Sequence, residues 1–375
     1  MDLSLNQEQE LIKISAKEFL LKECPADLVR DLEKDETGFS LNLWKKMAQL
    51  GWMGLITPIE YEGNGGNFLD FAVLMEEMGR VCLPSWFFST VALGAQAITF
   101  AGTEKQKKKL LPDICDGKSI VTIAMIEPDS CYDMAKIEMA STKSTDKAIL
   151  DGVKLFVPDA HIADKIICVV KDGGEKNSNI LLCIVDAKSE GISINPLKTI
   201  SGDKLFEVKF NAVKVPSENI LGEKSFSIMG FEKVLQKAAI AKCAEMVGGA
   251  QKVMEMSVEY AKMRVQFNQP IGSFQAIQHH CANMLTDLDC SRLVTYNAAW
   301  MISENLSCDK EIAMAKAFTS EAYVNITALG QQIHGGTGLI DEHDMQLYFR
   351  RAKAAALTLG NATYQRNLVA QEIGL

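Results

Sequence analysis

The apolar residues of this 375-residue chain change their spacing twice, and that change limits the fold more than any single motif does. From Asn6 to about Gly117 they recur at helical intervals, as in Leu11, Ile14 and Phe19, and again in Leu43, Met47 and Leu50. Pro25, Pro58 and the turn Glu62-Gly63-Asn64-Gly65-Gly66 punctuate this region, because proline lacks a donor and glycine takes left-handed conformations readily. From about Ser119 to Asn219 short β-rich runs take over: Val121-Thr-Ile-Ala124, Lys165-Ile-Ile-Cys-Val-Val170, Ile180-Leu-Leu-Cys-Ile-Val185 and Phe206-Glu-Val-Lys-Phe210. After Gly222 the helical period returns, predicting long antiparallel helices near 226–263, 274–305, 309–334 and 343–370. The order predicts an α+β fold: a helical N-terminal domain over 1–118, a β-domain over 119–222 and a long-helix bundle over 223–375.

Composition removes several classes of function. With 39 Lys plus Arg against 48 Asp plus Glu the net charge is −9. The one basic cluster, Lys105, Lys107, Lys108 and Lys109, reads as a solvated helix face, so no nucleic-acid partner is expected. No apolar run reaches the roughly 18 residues that a membrane span needs, and the N-terminal residues lack the pattern of a secretory or transit signal. The 10 cysteines are scattered singly, without zinc spacing. They read as reduced, mostly buried thiols of a cytoplasmic protein, with no metal site expected.

Two stretches carry candidate chemistry: Arg264-Val-Gln-Phe-Asn-Gln-Pro-Ile-Gly-Ser-Phe-Gln-Ala-Ile-Gln278 and Gln332-Ile-His-Gly-Gly-Thr-Gly338. Arg264 falls at a predicted helix end, where its guanidinium can fork onto a diphosphate beside an aromatic surface. The plainer reading is an Arg that ties two helices together. The Gly335-Gly336-x-Gly338 run follows a helix rather than a strand, which excludes the dinucleotide fingerprint of a βαβ unit. Glycines here let a backbone approach a ligand, but a helix C-cap also uses them. His334, with no nucleophile motif to pair with, reads as structural.

Taken together, the two stretches and their separation resemble the acyl-CoA dehydrogenase family, and the resemblance extends over essentially the whole chain. It implies an oxidoreductase that binds FAD and a coenzyme A thioester, removes an α-proton with a glutamate and passes a β-hydride to the flavin. It further implies a homo- or heterotetramer with each FAD shared between subunits, and electron-transfer flavoprotein as acceptor. By the resemblance Arg264, Gln266, Phe267, Phe274 and Gln275 reach the diphosphate and adenosine of a neighbour's FAD, joined by Gln332, Ile333, His334, Gly335 and Gly336. Met125, Ile126, Phe156 and Pro158 stand where the family meets the flavin ring, and Asn361 completes the implied cofactor set.

The chain departs from the family at the reacting end. Where the family reads Thr-Glu-Pro-Gly-Ala-Gly-Ser-Asp, this chain reads Ile126-Glu-Pro-Asp-Ser-Cys-Tyr-Asp133, so only Glu127, Pro128 and Asp133 match. The apolar Ile126 replaces a hydroxyl, and Asp129, Cys131 and Tyr132 replace small residues that approach coenzyme A. In Phe156-Val157-Pro158 the aromatic is kept, but proline supplies neither hydroxyl nor N–H to the flavin. Counting from Arg350-Arg-Ala-Lys353, the usual glutamate position is Leu359; the family's alternative position, 26 residues before Arg264, is Ala238. A positioned base is worth roughly 10²–10⁴-fold, and neither residue accepts a proton. Glu245 lies about 10 Å along the helix from Ala238, and Glu232 is turned about 120° away from its face.

Three expectations follow. The chain is the small subunit of a heteromeric acyl-CoA dehydrogenase whose partner supplies the base, a division of labour that the resemblance associates with dicarboxylic, ring-bearing or steroid-derived thioesters. Alternatively, it is a self-sufficient FAD enzyme with an atypical base among Glu127, Asp133, Glu232 and Glu245, or a different reaction such as reduction or elimination. The third is a catalytically inactive assembly subunit.

Overall fold

The protein is described here from a computed structural model covering residues 5–130, 133–144, 147–172, 179–222 and 226–375. Cys131 and Tyr132 lie outside the described residues, as do 223–225 at the expected start of the third domain. In chain order the helices are α1 (Gln7–Glu23), α2 (Ala26–Lys34), α3 (Leu41–Gln49), α4 (Phe68–Arg80), α5 (Gln96–Ala101), α6 (Glu104–Cys115), α7 (Ile228–Met263), α8 (Gln275–Ser303), α9 (Asp309–His334), α10 (Met345–Leu357) and α11 (Ala362–Glu372). A π-helical segment, Phe88–Ala95, runs directly into α5. None of the described helices is long and apolar enough to cross a membrane.

The chain forms two compact units, one comprising Met1–Asp31, Asn67–Leu83 and Ala238–Leu375 and the other Leu32–Gly66 and Pro84–Lys237. In the first, reciprocal capping boxes start two helices: Asn6 with Gln9 opens α1, and Asn67 with Asp70 opens α4. α4 is buried almost throughout and crosses α7 with backbones in near contact. A Cβ on Gly79 would fall 1.9 Å from the Glu245 carbonyl oxygen, and one on Gly248 1.7 Å from that of Glu76, so only glycine permits this crossing. A buried polar knot ties α4, α7 and α8: the Glu76 carboxylate accepts from Arg292 at 3.0 Å and Tyr296 at 2.7 Å, while Arg292 also donates to Gln251 at 2.9 Å.

α1 is a helix, as its apolar spacing predicts, but its inward face is not the one that Leu11 and Ile14 mark. Leu11 and Ile14 are 67% and 52% exposed, and the face that packs inward carries Gln9, Ala16 and Leu20, with Gln9 donating to Asp70 at 3.0 Å. Helical spacing identified the helix but not its buried side, because a polar residue with a partner replaces an apolar one there.

The second unit holds the strands β1 (Val121–Ala124), β2 (Ala140–Ser144), β3 (Lys147–Pro158), β4 (Lys165–Asp172), β5 (Asn179–Asp186), β6 (Ile192–Leu197), β7 (Leu205–Pro216) and β8 (Phe226–Ser227). They form one sheet in the order β6-β7-β3-β2-β4-β5-β8, with β1 parallel to β4. The apolar runs of β4 and β5 are buried on both faces and pair antiparallel from Lys165↔Asp186 to Lys171↔Ile180. Among the described residues nine cysteines stand outside any disulfide, and seven of them are buried.

Candidate functional site

In the β-unit the candidate residues gather around a bulge in β3. The β3–β7 register runs through Lys154↔Val208 and then slips, so that Val157 pairs with Phe206 and two residues, Leu155 and Phe156, oppose the single Glu207. The extra residue reverses the strand's parity. Lys154 and Val157 therefore both point inward, at 0% and 1% exposure, while Phe156 turns outward, 53% exposed at φ 54°. An outward aromatic on a fixed bulge suits a planar ring. Beside it Pro158 carries no N–H, and its carbonyl accepts from Thr122 Oγ1 at 2.6 Å. The Ile126 carbonyl accepts from the Leu155 N–H at 2.8 Å, and that of Met125 faces Lys154 Nζ at 3.4 Å. Both residues are half-buried.

Glu127 is fully engaged. Its carboxylate pairs with buried Lys154 at 2.6 Å and accepts from the N–H groups of Glu138 at 2.7 Å and Met139 at 3.2 Å. Lys154 also donates to the Val169 carbonyl at 2.6 Å. A carboxylate held this way anchors the 126–130 turn to β3 and β4 and is not presented to a ligand. The other substitute acids are also occupied: Glu245 pairs with Lys242 at 2.7 Å, Asp133 accepts from the Ala135 N–H at 3.0 Å, and Glu232 is half-buried with a partner of its own.

In the helical unit the Arg264 tract forms a hairpin of β9 (Val265–Gln266) and β10 (Gln269–Pro270), joined by Phe267 and Asn268 at φ 52° and 63°. This is a type I′ turn, which suits Asn but strains Phe by about 1–3 kcal/mol. Phe267 is 87% exposed, with Phe274 edge-on to it at 6.0 Å. Arg264, Gln266 and Gln275 are exposed as well, and the guanidinium has no partner among the described residues. An unpartnered cation, exposed amides and a strained exposed aromatic fit a diphosphate and an adenine supplied from outside this chain.

At the end of α9, Gly335 caps the helix at φ 59°, its N–H bonded to Gln331, and Cβ atoms added to Gly335 or Gly336 would meet nothing within 4 Å. That open backbone, with exposed Gln332 beside it, also fits a cofactor phosphate or sugar. The Ile333 and His334 side chains point the other way, each 4% exposed. His334 Nδ1 lies 2.8 Å from the Gly330 carbonyl oxygen and its ring stacks on Tyr260 at 4.5 Å. Burial lowers its pKa, and only its backbone and that of Ile333 remain for a ligand.

The sequence predicts one helix over 343–370, but α10 ends at Leu357 and α11 begins at Ala362. Leu359 and Gly360 take φ 58° and 98°, and Asn361 caps α11, its Oδ1 accepting from the Tyr364 N–H at 2.9 Å. Below the break, fully buried Lys316 donates to the carbonyls of Ala355 at 3.2 Å, Ala356 at 3.3 Å and Gly360 at 3.2 Å, and to Ser320 at 2.9 Å. Burial pulls its pKa down to about 8. Ala238 is buried on α7. Strain marks these places: Phe156, Asp159, Phe267 and Leu359 are all non-glycine residues at positive φ. Asp159 and Lys316 were missed in the sequence; nothing about an Asp after a proline or a lysine inside a helix announces burial.

Comparison with known proteins places this geometry. Models of the N-terminal, middle and C-terminal domains of acyl-CoA dehydrogenase match residues 6–118, 122–213 and 230–374. The 3-(aryl)acrylate reductase of Clostridium sporogenes is 33% identical, over 98% of this chain and 98% of its own length. The caffeyl-CoA reductase-Etf complex subunit CarC of Acetobacterium woodii is 31% identical over 97% of both. The structure of butyryl-CoA dehydrogenase from Megasphaera elsdenii superposes with a TM-score of 0.92, covering 100% of both chains at 27% identity. With the helix–sheet–helix order, the exposed Arg264 hairpin and the open glycine turn already in place, these likenesses show that the chain belongs to the acyl-CoA dehydrogenase family of FAD-dependent oxidoreductases.

Proposed function

We propose that this chain is the supporting subunit of a heteromeric acyl-CoA dehydrogenase, completing a partner's FAD site while its own reacting end lacks a base. The observation that carries the reading is an asymmetry. The Arg264–Gln275 tract and the Gly335–Gly336 turn present unpartnered groups to a ligand, whereas Leu359 and Ala238 put alkyl side chains where a carboxylate is needed. Bound FAD would supply hydride acceptance. The chain's residues would hold its diphosphate with Arg264, cover its adenine with Phe267 and Phe274, and set Phe156 against a flavin ring. None of the four candidate acids, Glu127, Asp133, Glu232 and Glu245, is free to take the α-proton in this chain, so a glutamate of a partner subunit takes it. The coenzyme A thioester as substrate class and electron-transfer flavoprotein as electron carrier accord with the relatives' names.

The test is turnover. The chain purified alone should dehydrogenate acyl-CoA thioesters at least about 10²-fold more slowly than its complex with a glutamate-bearing paralogue. Equal turnover by the lone chain would refute the proposal.

A reductive direction is the second reading, favoured by the 3-(aryl)acrylate and caffeyl-CoA reductases among the relatives. It needs a proton donor at the same place, so the lone chain would be equally slow. Assaying the complex with an enoyl-CoA and reduced carrier distinguishes the directions.

A further inference from the structure

Asp159 follows the flavin-facing Phe156-Val157-Pro158 turn and has no part in the cofactor set described above. Its side chain is buried, 1% exposed, on a backbone at φ 55°. One carboxylate oxygen accepts from Ser85 at 3.0 Å and the other from Ser89 at 2.8 Å. Ser89 belongs to the π-helical segment, whose eight residues are all buried. π-Helical turns are rare and cluster at functional sites, because the inserted residue breaks the regular ladder. Two further bonds tie this segment to the same turn through β1. Thr90 Oγ1 accepts from the Val121 N–H at 3.3 Å, and Thr122 donates to the Pro158 carbonyl at 2.6 Å. Gly94 completes the packing, since a Cβ there would lie 2.9 Å from the Val121 side chain.

Three elements are thus locked together: the π-helical segment, β1 and the turn that ends β3. Phe156 and Asp159, both at positive φ, bracket the two residues between them. A turn with left-handed residues at both ends keeps its shape only when the surroundings over-determine it. The Ser85–Asp159–Ser89 clamp supplies that constraint at one end and the β-bulge at the other. We infer that Asp159 is a positioning residue: through its two serine bonds to the π-helical segment it fixes the angle at which Phe156 is presented to the flavin. The inference rests on the proposed function for the identity of what Phe156 meets; the clamp itself does not.

The experiment compares Asp159→Ala, Asp159→Asn and the double variant S85A/S89A with the parent, each in the partner complex and alone. Hydrogen exchange on the lone chain reads the clamp without any cofactor. Asp159→Ala and S85A/S89A should raise exchange at least about tenfold across 85–95 and 155–160, and leave β4–β5 unchanged. In the complex, the same variants should shift the flavin absorption bands and recover flavin fluorescence. Asp159→Asn, which keeps one acceptor and one donor toward serines that can rotate, should restore the parent spectrum. Parental exchange in Asp159→Ala overturns the clamp. Raised exchange with an unaltered flavin spectrum overturns the positioning role and leaves a structural one. A parent complex that carries no flavin refutes the proposed function, while exchange still decides the clamp.

Discussion

Replacing Lys154 by Met while Glu127 stays in place is the perturbation whose cost the structure defines best. The ammonium is 0% exposed and its two close bonds, to Glu127 Oε1 and the Val169 carbonyl, are both 2.6 Å long. Removing one partner of a buried pair costs about 3–5 kcal/mol, because the other charge is left behind. Glu127 keeps its backbone donors at Glu138 and Met139, which places the expected loss near the lower limit, about 3 kcal/mol. At roughly 2–4 °C per kcal/mol for a unit of this size, Tm should fall by about 6–12 °C. Adding Glu127→Gln to Lys154→Met should recover part of that loss, with a coupling of about 2 kcal/mol in the double-mutant cycle. The assay is thermal unfolding of the flavin-free chain, followed by circular dichroism and tryptophan fluorescence. A Lys154→Met variant within about 1 °C of the parent, or a double variant no more stable than the single one, would refute the argument. A second consequence separates structure from catalysis: Glu127→Gln should lower Tm without lowering turnover of the complex well below the melting range.

Lys316 gives a pH dependence of known sign. Its pKa is pulled down to about 8 in the folded chain against an unfolded value near 10.4, so the unfolded lysine holds more proton between those limits and the Lys316 contribution to stability rises with pH across that window, opposed above about pH 9 by the buried thiols of Cys24, Cys168 and Cys243, which burial pushes up to about 12. In urea titrations from pH 7 to 10.5, the stability of the parent relative to Lys316→Met should rise with pH, and a difference that stays constant with pH would assign the effect elsewhere. Arg264→Ala and Phe267→Ala should cut the affinity of the partner complex for FAD by about 10-fold or more, with Tm of the flavin-free chain unchanged, as measured by flavin titration. Placing a carboxylate where the family carries one, Leu359→Glu, should raise turnover of the flavin-loaded chain by about 10²-fold or more; an unchanged rate would mean that Leu359 is not the base position.

Long-range periodicity carried the architecture: the shift from helical spacing to β-rich runs and back corresponds to the observed order of elements, and the runs at 165–170 and 180–185 became β4 and β5. What periodicity missed depends on tertiary pairing. β3 alternates too weakly to stand out because its inward face includes the charged Lys154, which only a partner 27 residues away makes tolerable. The break between α10 and α11 had a local signal, Leu359-Gly360-Asn361, a glycine followed by an N-cap residue, but the apolar pattern continues across it. The Arg264 tract was legible as a motif, and its Asn268 marks the I′ turn; that Phe267 would take the other left-handed position has no sequence signature. The inward turn of Ile333 and His334 follows from the last turn of α9 facing the bundle, which the motif does not encode.

The central claim is that this chain serves a partner's flavin better than its own. The flavin-to-chain ratio, read from the visible absorbance of the chain purified alone and then with a glutamate-bearing paralogue, tests it most directly. The account predicts little flavin on the lone chain and a marked rise in the complex, bleached there by an acyl thioester. Near-stoichiometric flavin on the lone chain, bleached by the thioester without any partner, would contradict it.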